Sequence, residues 1–231
     1  MALFDVHIAV QAFIYFAIMI AGFVTVIPVG INRQNFQGTC ILYGNIEWKN
    51  ATSFVLHGSS SSNCNFPIYF GVFGLIFYGL ATGLYNSYAV IKSRRDPDIG
   101  SQMWVMPFIL VNTLLGFTTL IVGCMISVGF MQFCNGLTSK HEGSKCSMQE
   151  NKTWQNINKG KPFNSGSYTK WMAVAQVAVW SCVLAFIVQV AFCILRFYRN
   201  RKKRSSDMFD SVQRKESGAD TSRIAELEPT A

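Results

Sequence analysis

Four long stretches of this 231-residue chain, 8–29, 68–91, 104–131 and 171–195, contain no Asp, Glu, Lys, Arg or His. Only 14% of all residues are charged, against about a quarter in an ordinary soluble domain, and the charges that exist lie outside those stretches. A water-soluble helix of such length needs a polar face recurring at helical period. None recurs here, which excludes an ordinary soluble domain. Each stretch exceeds the roughly 20 apolar residues that carry an α-helix across a hydrocarbon core about 30 Å thick. One charge at mid-span costs on the order of 2.5–3.5 kcal/mol on insertion scales, so four clean windows are not an accident of composition. The expected fold class is an all-α membrane protein, a bundle of four transmembrane helices with two extracytosolic loops.

Chemistry-bearing clusters are also missing. The three histidines, His7, His57 and His141, fall in three separate extramembrane segments. There is no His-Glu-x-x-His pair, no phosphate-cradling glycine loop and no Gly-x-Ser-x-Gly turn. His141 and Glu142 near Cys134 and Cys146 read as a solvated loop beside a disulfide rather than a metal site. No catalytic, cofactor-binding or metal-ligating residue is assigned, and an enzyme is not expected. An ion-coupled pump needs an ionisable group within the membrane, and the four windows hold none. A pore assembled from several copies survives this exclusion, because channel linings can be uncharged.

The remaining charges set an expected orientation. Lys92, Arg94 and Arg95 lie between the second and third stretches, and Arg196, Arg199, Arg201, Lys202, Lys203 and Arg204 follow the fourth. Basic density at short loops marks the cytosolic side. Met1–His7 lacks the basic residues of a signal peptide and precedes too long an apolar run, so the first stretch is expected to be retained. The resulting layout is a cytosolic N-terminus at 1–7, helices at 8–29, 68–91, 104–131 and 171–195, extracytosolic loops at 30–67 and 132–170, a cytosolic turn at 92–103, and a cytosolic disordered tail at 196–231.

Each expected outer loop carries two cysteines, Cys40 with Cys64 and Cys134 with Cys146, as suits an oxidising compartment. Three pairings are open to four cysteines; the in-loop solution, Cys40–Cys64 and Cys134–Cys146, is favoured. Each loop also holds one N-glycosylation acceptor, at Asn50 and Asn151. Cys193, near the cytosolic end of the fourth helix, is a candidate for palmitoylation. Within the helices, Gln11, Asn86, Asn112 and Gln189 fall at one level and are expected to hydrogen-bond between helices. Gly79 and Gly83 form a small-residue pair, preceded by Gly71 and Gly74, which suits close helix packing within the bundle before dimerisation. Pro67 and Pro107 are expected near helix starts.

Several short motifs carry a resemblance. Phe36-Gln37-Gly38-Thr39-Cys40-Ile41-Leu42-Tyr43 opens the first loop, Ser127-Val128-Gly129-Phe130 with Phe133-Cys134 closes the third helix, and Ala175-Gln176 with Trp180 lies in the fourth. With the four-cysteine loop pattern these resemble the transmembrane protein 179 family, over about residues 1–200. The resemblance implies four spans and cytosolic ends; it names no chemistry. Claudin-like proteins fit less well, since Trp48 lies between Cys40 and Cys64 where their pattern places a Trp before both cysteines.

After Leu195 the composition turns basic and then polar. Arg199, Arg201, Lys202, Lys203 and Arg204 form a run suited to anionic lipid headgroups, and Ser205 and Ser206 beside it are candidates for phosphorylation, which weakens such contact. The expectation is a non-catalytic tetraspan component, accessory, scaffolding or trafficking in role, in the secretory pathway or plasma membrane. Its expected partners are the lipid bilayer and other membrane proteins, with a homo-oligomer allowed, no nucleic acid and no cofactor. The alternative is a channel-forming or transport subunit.

Overall fold

The computed structural model describes residues 3–50, 53–93, 105–139, 145–150, 153–156, 162–164 and 166–225. Four helices in it are long and apolar enough to cross a membrane: Val6–Asn35, Ser61–Lys92, Met106–Thr138 and Tyr168–Lys202. They belong to α1 (Leu3–Asn35), to a composite second helix, to α4 (Val105–Thr138) and to α5 (Tyr168–Ala225). The composite helix runs as α2 (Ser61–Phe70), a π-helical segment (Gly71–Phe77) and α3 (Tyr78–Ser93). Large apolar residues such as Phe13, Phe73, Phe117 and Val177 point outward, as lipid rather than water permits. The chain is a multi-pass membrane protein.

At one end the helices run past the apolar windows. α1 continues to Asn35, α2 starts at Ser61, α4 reaches Thr138 and α5 starts at Tyr168. Hydropathy locates the lipid-facing length, whereas intrahelical hydrogen bonds continue until a cap ends them. Ser60 supplies one such cap, its side chain accepting from the Ser62 amide. Pro67 therefore lies inside a helix rather than at its start, while Pro107 does lie in the first turn of α4. Residues 196–225, expected to be disordered, continue α5. They contain no proline and a single glycine, and extending a formed helix requires no new nucleus.

Both expected loops also contain strands, β1 (Cys40–Trp48), β2 (Ser53–Ser59), β3 (Thr153–Asn156) and β4 (Pro162–Asn164). They make one four-stranded sheet in the order β1-β2-β3-β4. β1 and β2 pair antiparallel, with Cys40 opposite Ser59 and Trp48 opposite Phe54. β3 and β4 pair antiparallel, with Trp154 opposite Phe163. Parallel pairing of Ser53 with Gln155 and Phe54 with Asn156 joins the two hairpins. Two segments about a hundred residues apart in the chain thus form one structure.

Small residues set how tightly the first two spanning helices approach. A Cβ at Gly79 would lie 2.9 Å from the Tyr15 carbonyl oxygen and 3.0 Å from the Met19 amide nitrogen, both backbone atoms of α1. On the other side, a Cβ at Gly22 would lie 2.9 Å from Leu75 Cβ. The small-residue pair is consumed within the bundle: Gly83 faces the Phe16 ring. We expect Gly79→Ala to force the helices apart and lower unfolding stability by about 1–3 kcal/mol. Gly30→Ala, where a Cβ meets nothing within 4 Å, is its control. Thermal unfolding in detergent reads both, and equal melting temperatures would remove the close α1–α3 contact from the account.

Candidate functional site

The first site lies at the sheet end. α1 closes in a Schellman turn, with the Gly38 amide bonding Arg33 O at 2.8 Å and the Gln37 amide bonding Gln34 O at 3.0 Å. Gln37 and Gly38 take φ of 55° and 77°, so a glycine occupies one of the two left-handed positions. The turn sends the chain into β1 with Cys40 at its head. Disulfides join Cys40 to Cys64 and Cys134 to Cys146, with Cα separations of 5.7 and 5.5 Å. One ties β1 to α2 and the other ties the end of α4 to the turn Cys146–Gln149. Closing loops of this length contributes about 2–4 kcal/mol each through the unfolded state.

β1 rests on α4. A Cβ at Gly129 would stand 3.0 Å from the Tyr43 ring and 3.1 Å from Leu42 Cβ, so the absent side chain is what admits the strand. Trp48 Nε1 donates to Gly136 O at 3.3 Å. Beneath the sheet, Phe36, Ile41, Ile46, Phe54, Leu56, Phe133, Leu137 and Tyr168 form a buried cluster, in which Phe36 meets Phe133 edge-on at 5.5 Å. Tyr168 donates its hydroxyl to Cys146 O at 2.7 Å. Glu150 accepts from the Thr169 and Lys170 amides and the Thr169 hydroxyl, a carboxylate on the N-terminal end of α5. On the outer face, Lys49 and His57 approach Glu47. Hydrogen bonding from Lys49 first, then His57, holds that carboxyl below its usual range.

At the opposite end, the buried amides meet. Asn112, with no exposed surface, donates to Tyr15 Oη at 2.7 Å and accepts from Tyr78 Oη at 3.1 Å. The two tyrosine rings contact edge-on at 6.0 Å. Gln189 Nε2 donates to Gln11 O at 2.8 Å. Cys193 Sγ accepts weakly from Gln11 and Asn112, both at 3.8 Å. This hub links α1, α3, α4 and α5. Sequence reasoning located Gln11, Asn112 and Gln189 but passed over Tyr15 and Tyr78, because tyrosine reads as apolar in a membrane window. Asn86 does not join: it donates to Thr82 O of its own helix at 2.8 Å.

The other sequence-predicted residues are dispersed. Cys193, the palmitoylation candidate, is 5% exposed and packs inside the hub. Asn50 is exposed in the turn between β1 and β2; Asn151 lies outside the described residues, as do His141 and Glu142. Among the described residues no three His, Cys, Asp or Glu side chains gather as metal ligands. Arg201 and Lys202 are exposed, as are Ser205 and Ser206. The side chains of Lys203 and Arg204 lie outside the described part. Arg199 instead lines a cavity of about 250 Å³ with His7, Ile8, Gln11, Phe192, Leu195 and Arg196.

Comparison with known proteins agrees with the resemblance. The family described as transmembrane protein 179/179B claudin domain matches residues 7–223. Transmembrane protein 179B of Danio rerio is 23% identical over 197 residues, covering 84% of this chain and 85% of the relative. No solved structure matches. The claudin description corrects the reading from Trp48: that relationship is carried by a pattern spanning most of the chain, which one short loop motif does not represent. In its own position Trp48 packs edge-on against Phe54 at 5.2 Å.

Replacing Asn112 with Leu removes both tyrosine bonds and should lower stability in detergent by about 0.6–2 kcal/mol. Asn86→Leu should cost less, since its side chain bonds within its own helix. Melting curves of the two variants decide between them; a larger loss at Asn86 would place the hub elsewhere.

Proposed function

The chain belongs to the transmembrane protein 179/179B claudin-domain family, and from that membership we propose that it works as a non-catalytic accessory or scaffolding component, binding other membrane proteins. The observation carrying this reading is the filled axis of the bundle. Between sheet and hub, Val29, Leu42, Val122, Ile126, Met172, Ala175 and Val179 form one buried cluster, and Tyr15, Ile18, Leu75, Cys182 and Phe186 form the next. Close-packed apolar side chains along that axis oppose a wet path for an ion within one copy, which supports this reading. What the chain offers to partners is lateral apolar surface and the sheet, whose outer strand β4 is three residues long and begins with a proline, a feature of edge strands.

In this reading the sheet lies outside the cytosol and both termini inside, on membranes of the secretory pathway or at the plasma membrane. The two disulfides at the sheet end support that side. So do the exposure of Asn50 and the basic residues at the hub end, Lys92, Arg199, Arg201 and Lys202.

Purified protein in liposomes should give ion flux no greater than empty vesicles, and proximity labelling in cells should return a reproducible set of membrane proteins. Flux that scales with protein density would replace this reading with a pore assembled from several copies. Glycosidase digestion should lower the apparent mass of the cellular protein, with Asn50→Gln removing one sugar chain; an unmodified Asn50 would weaken the orientation.

A further inference from the structure

The cavity at the hub end is built from two helix faces. His7, Ile8 and Gln11 fall on one face of α1, and Phe192, Leu195, Arg196 and Arg199 on one face of α5, in each case at the three- and four-residue spacing that stacks side chains. His7 and Phe192 meet edge-on at 5.8 Å and close one side. The floor is buried, with Ile8 1% and Gln11 3% exposed, whereas Leu195 is 54% exposed at the rim. Two arginines and a histidine therefore line this space together with the Gln11 side chain and the apolar Ile8, Phe192 and Leu195, and no acidic residue lines it among the described residues.

We propose that this cavity binds a phosphate-bearing anion, with Arg196 and Arg199 as its principal ligands. Arginine presents a planar fork that matches phosphate oxygens in pairs. His7 and the Gln11 amide have further donors to offer. A cationic ligand is opposed by the two arginines, and a wholly apolar one gains nothing from them. The position suits a phosphomonoester at the membrane surface: the apolar wall of Phe192 and Leu195 continues the lipid-facing side of α5, and a volume of about 250 Å³ holds a headgroup rather than a whole lipid. This is distinct from diffuse attraction of the basic run to an anionic surface. It depends on residues from α1 and on Arg196, and not on Arg201 or Lys202.

The test uses the full chain in nanodiscs of phosphatidylcholine, with or without phosphatidic acid. Thermal unfolding and the lipid retained in native mass spectrometry are the readouts. A third sample adds soluble glycerol phosphate to neutral discs. We expect phosphatidic acid to raise the melting temperature and to be retained. In the Arg196→Gln/Arg199→Gln variant retention should fall by about tenfold, whereas Arg201→Gln/Lys202→Gln should keep it. Leu195→Trp fills the cavity while preserving both charges, and should abolish retention in a protein that still runs as a single species. An equal shift with glycerol phosphate, lost in the Arg196/Arg199 variant, assigns the site to free phosphate compounds; a shift with phosphatidic acid alone assigns it to the lipid headgroup. Retention that survives both the double substitution and Leu195→Trp overturns the proposal, as does an equal loss in the Arg201/Lys202 variant or no shift with either anion.

Discussion

Away from water, the Asn112 amide has to be satisfied by other side chains, and the other elements of the bundle are placed so that it is. Its donor and acceptor are taken up by Tyr15 and Tyr78, which requires α1, α3 and α4 to meet at one level. α5 joins the same level through Gln189 and Cys193. Helices converge this closely only where little side chain intervenes. The glycines at 22, 79 and 83 on the first two spanning helices supply that room, as does Gly116, where a Cβ would stand 3.1 Å from Phe186 Cβ. In hydrocarbon there is little hydrophobic drive to hold helices together, so packing and a few internal hydrogen bonds share the task.

The sheet end is held by different forces. There the segments between helices leave the bilayer, and strands, turns and charged side chains are permitted. An aromatic and aliphatic cluster forms beneath the sheet, two disulfides fix its connections, and Gly129 lets β1 lie against α4. The parallel pairing of β2 with β3 makes the two interhelical segments a single unit.

The motif residues that disclose the family mostly do structural work. Gln37 and Gly38 turn α1 into β1, Ser127 accepts from Trp180 Nε1 at 3.3 Å, and Ala175 is buried where α5 packs beside Val122 and Ile126. A signature made of turns and close contacts identifies an architecture. It does not specify what the architecture binds.

The sequence by itself determined the four membrane crossings, because the exclusion of charge from lipid acts on each window independently of every other. The candidate cysteines, and three of the amides that enter the hub, were legible for the same local reason. Tertiary structure alone decided the rest. Whether an amide bonds across the bundle, as Asn112 does, or back to its own helix, as Asn86 does, depends on what stands opposite it. The joining of β2 to β3 brings together residues about a hundred positions apart, and strands this short leave little periodic signal. Arg196 and Arg199 read as part of a basic tail until α1 is placed beside them with His7 and Gln11. Each of these depends on a contact between distant segments, and the energy of such a contact resides in neither segment alone.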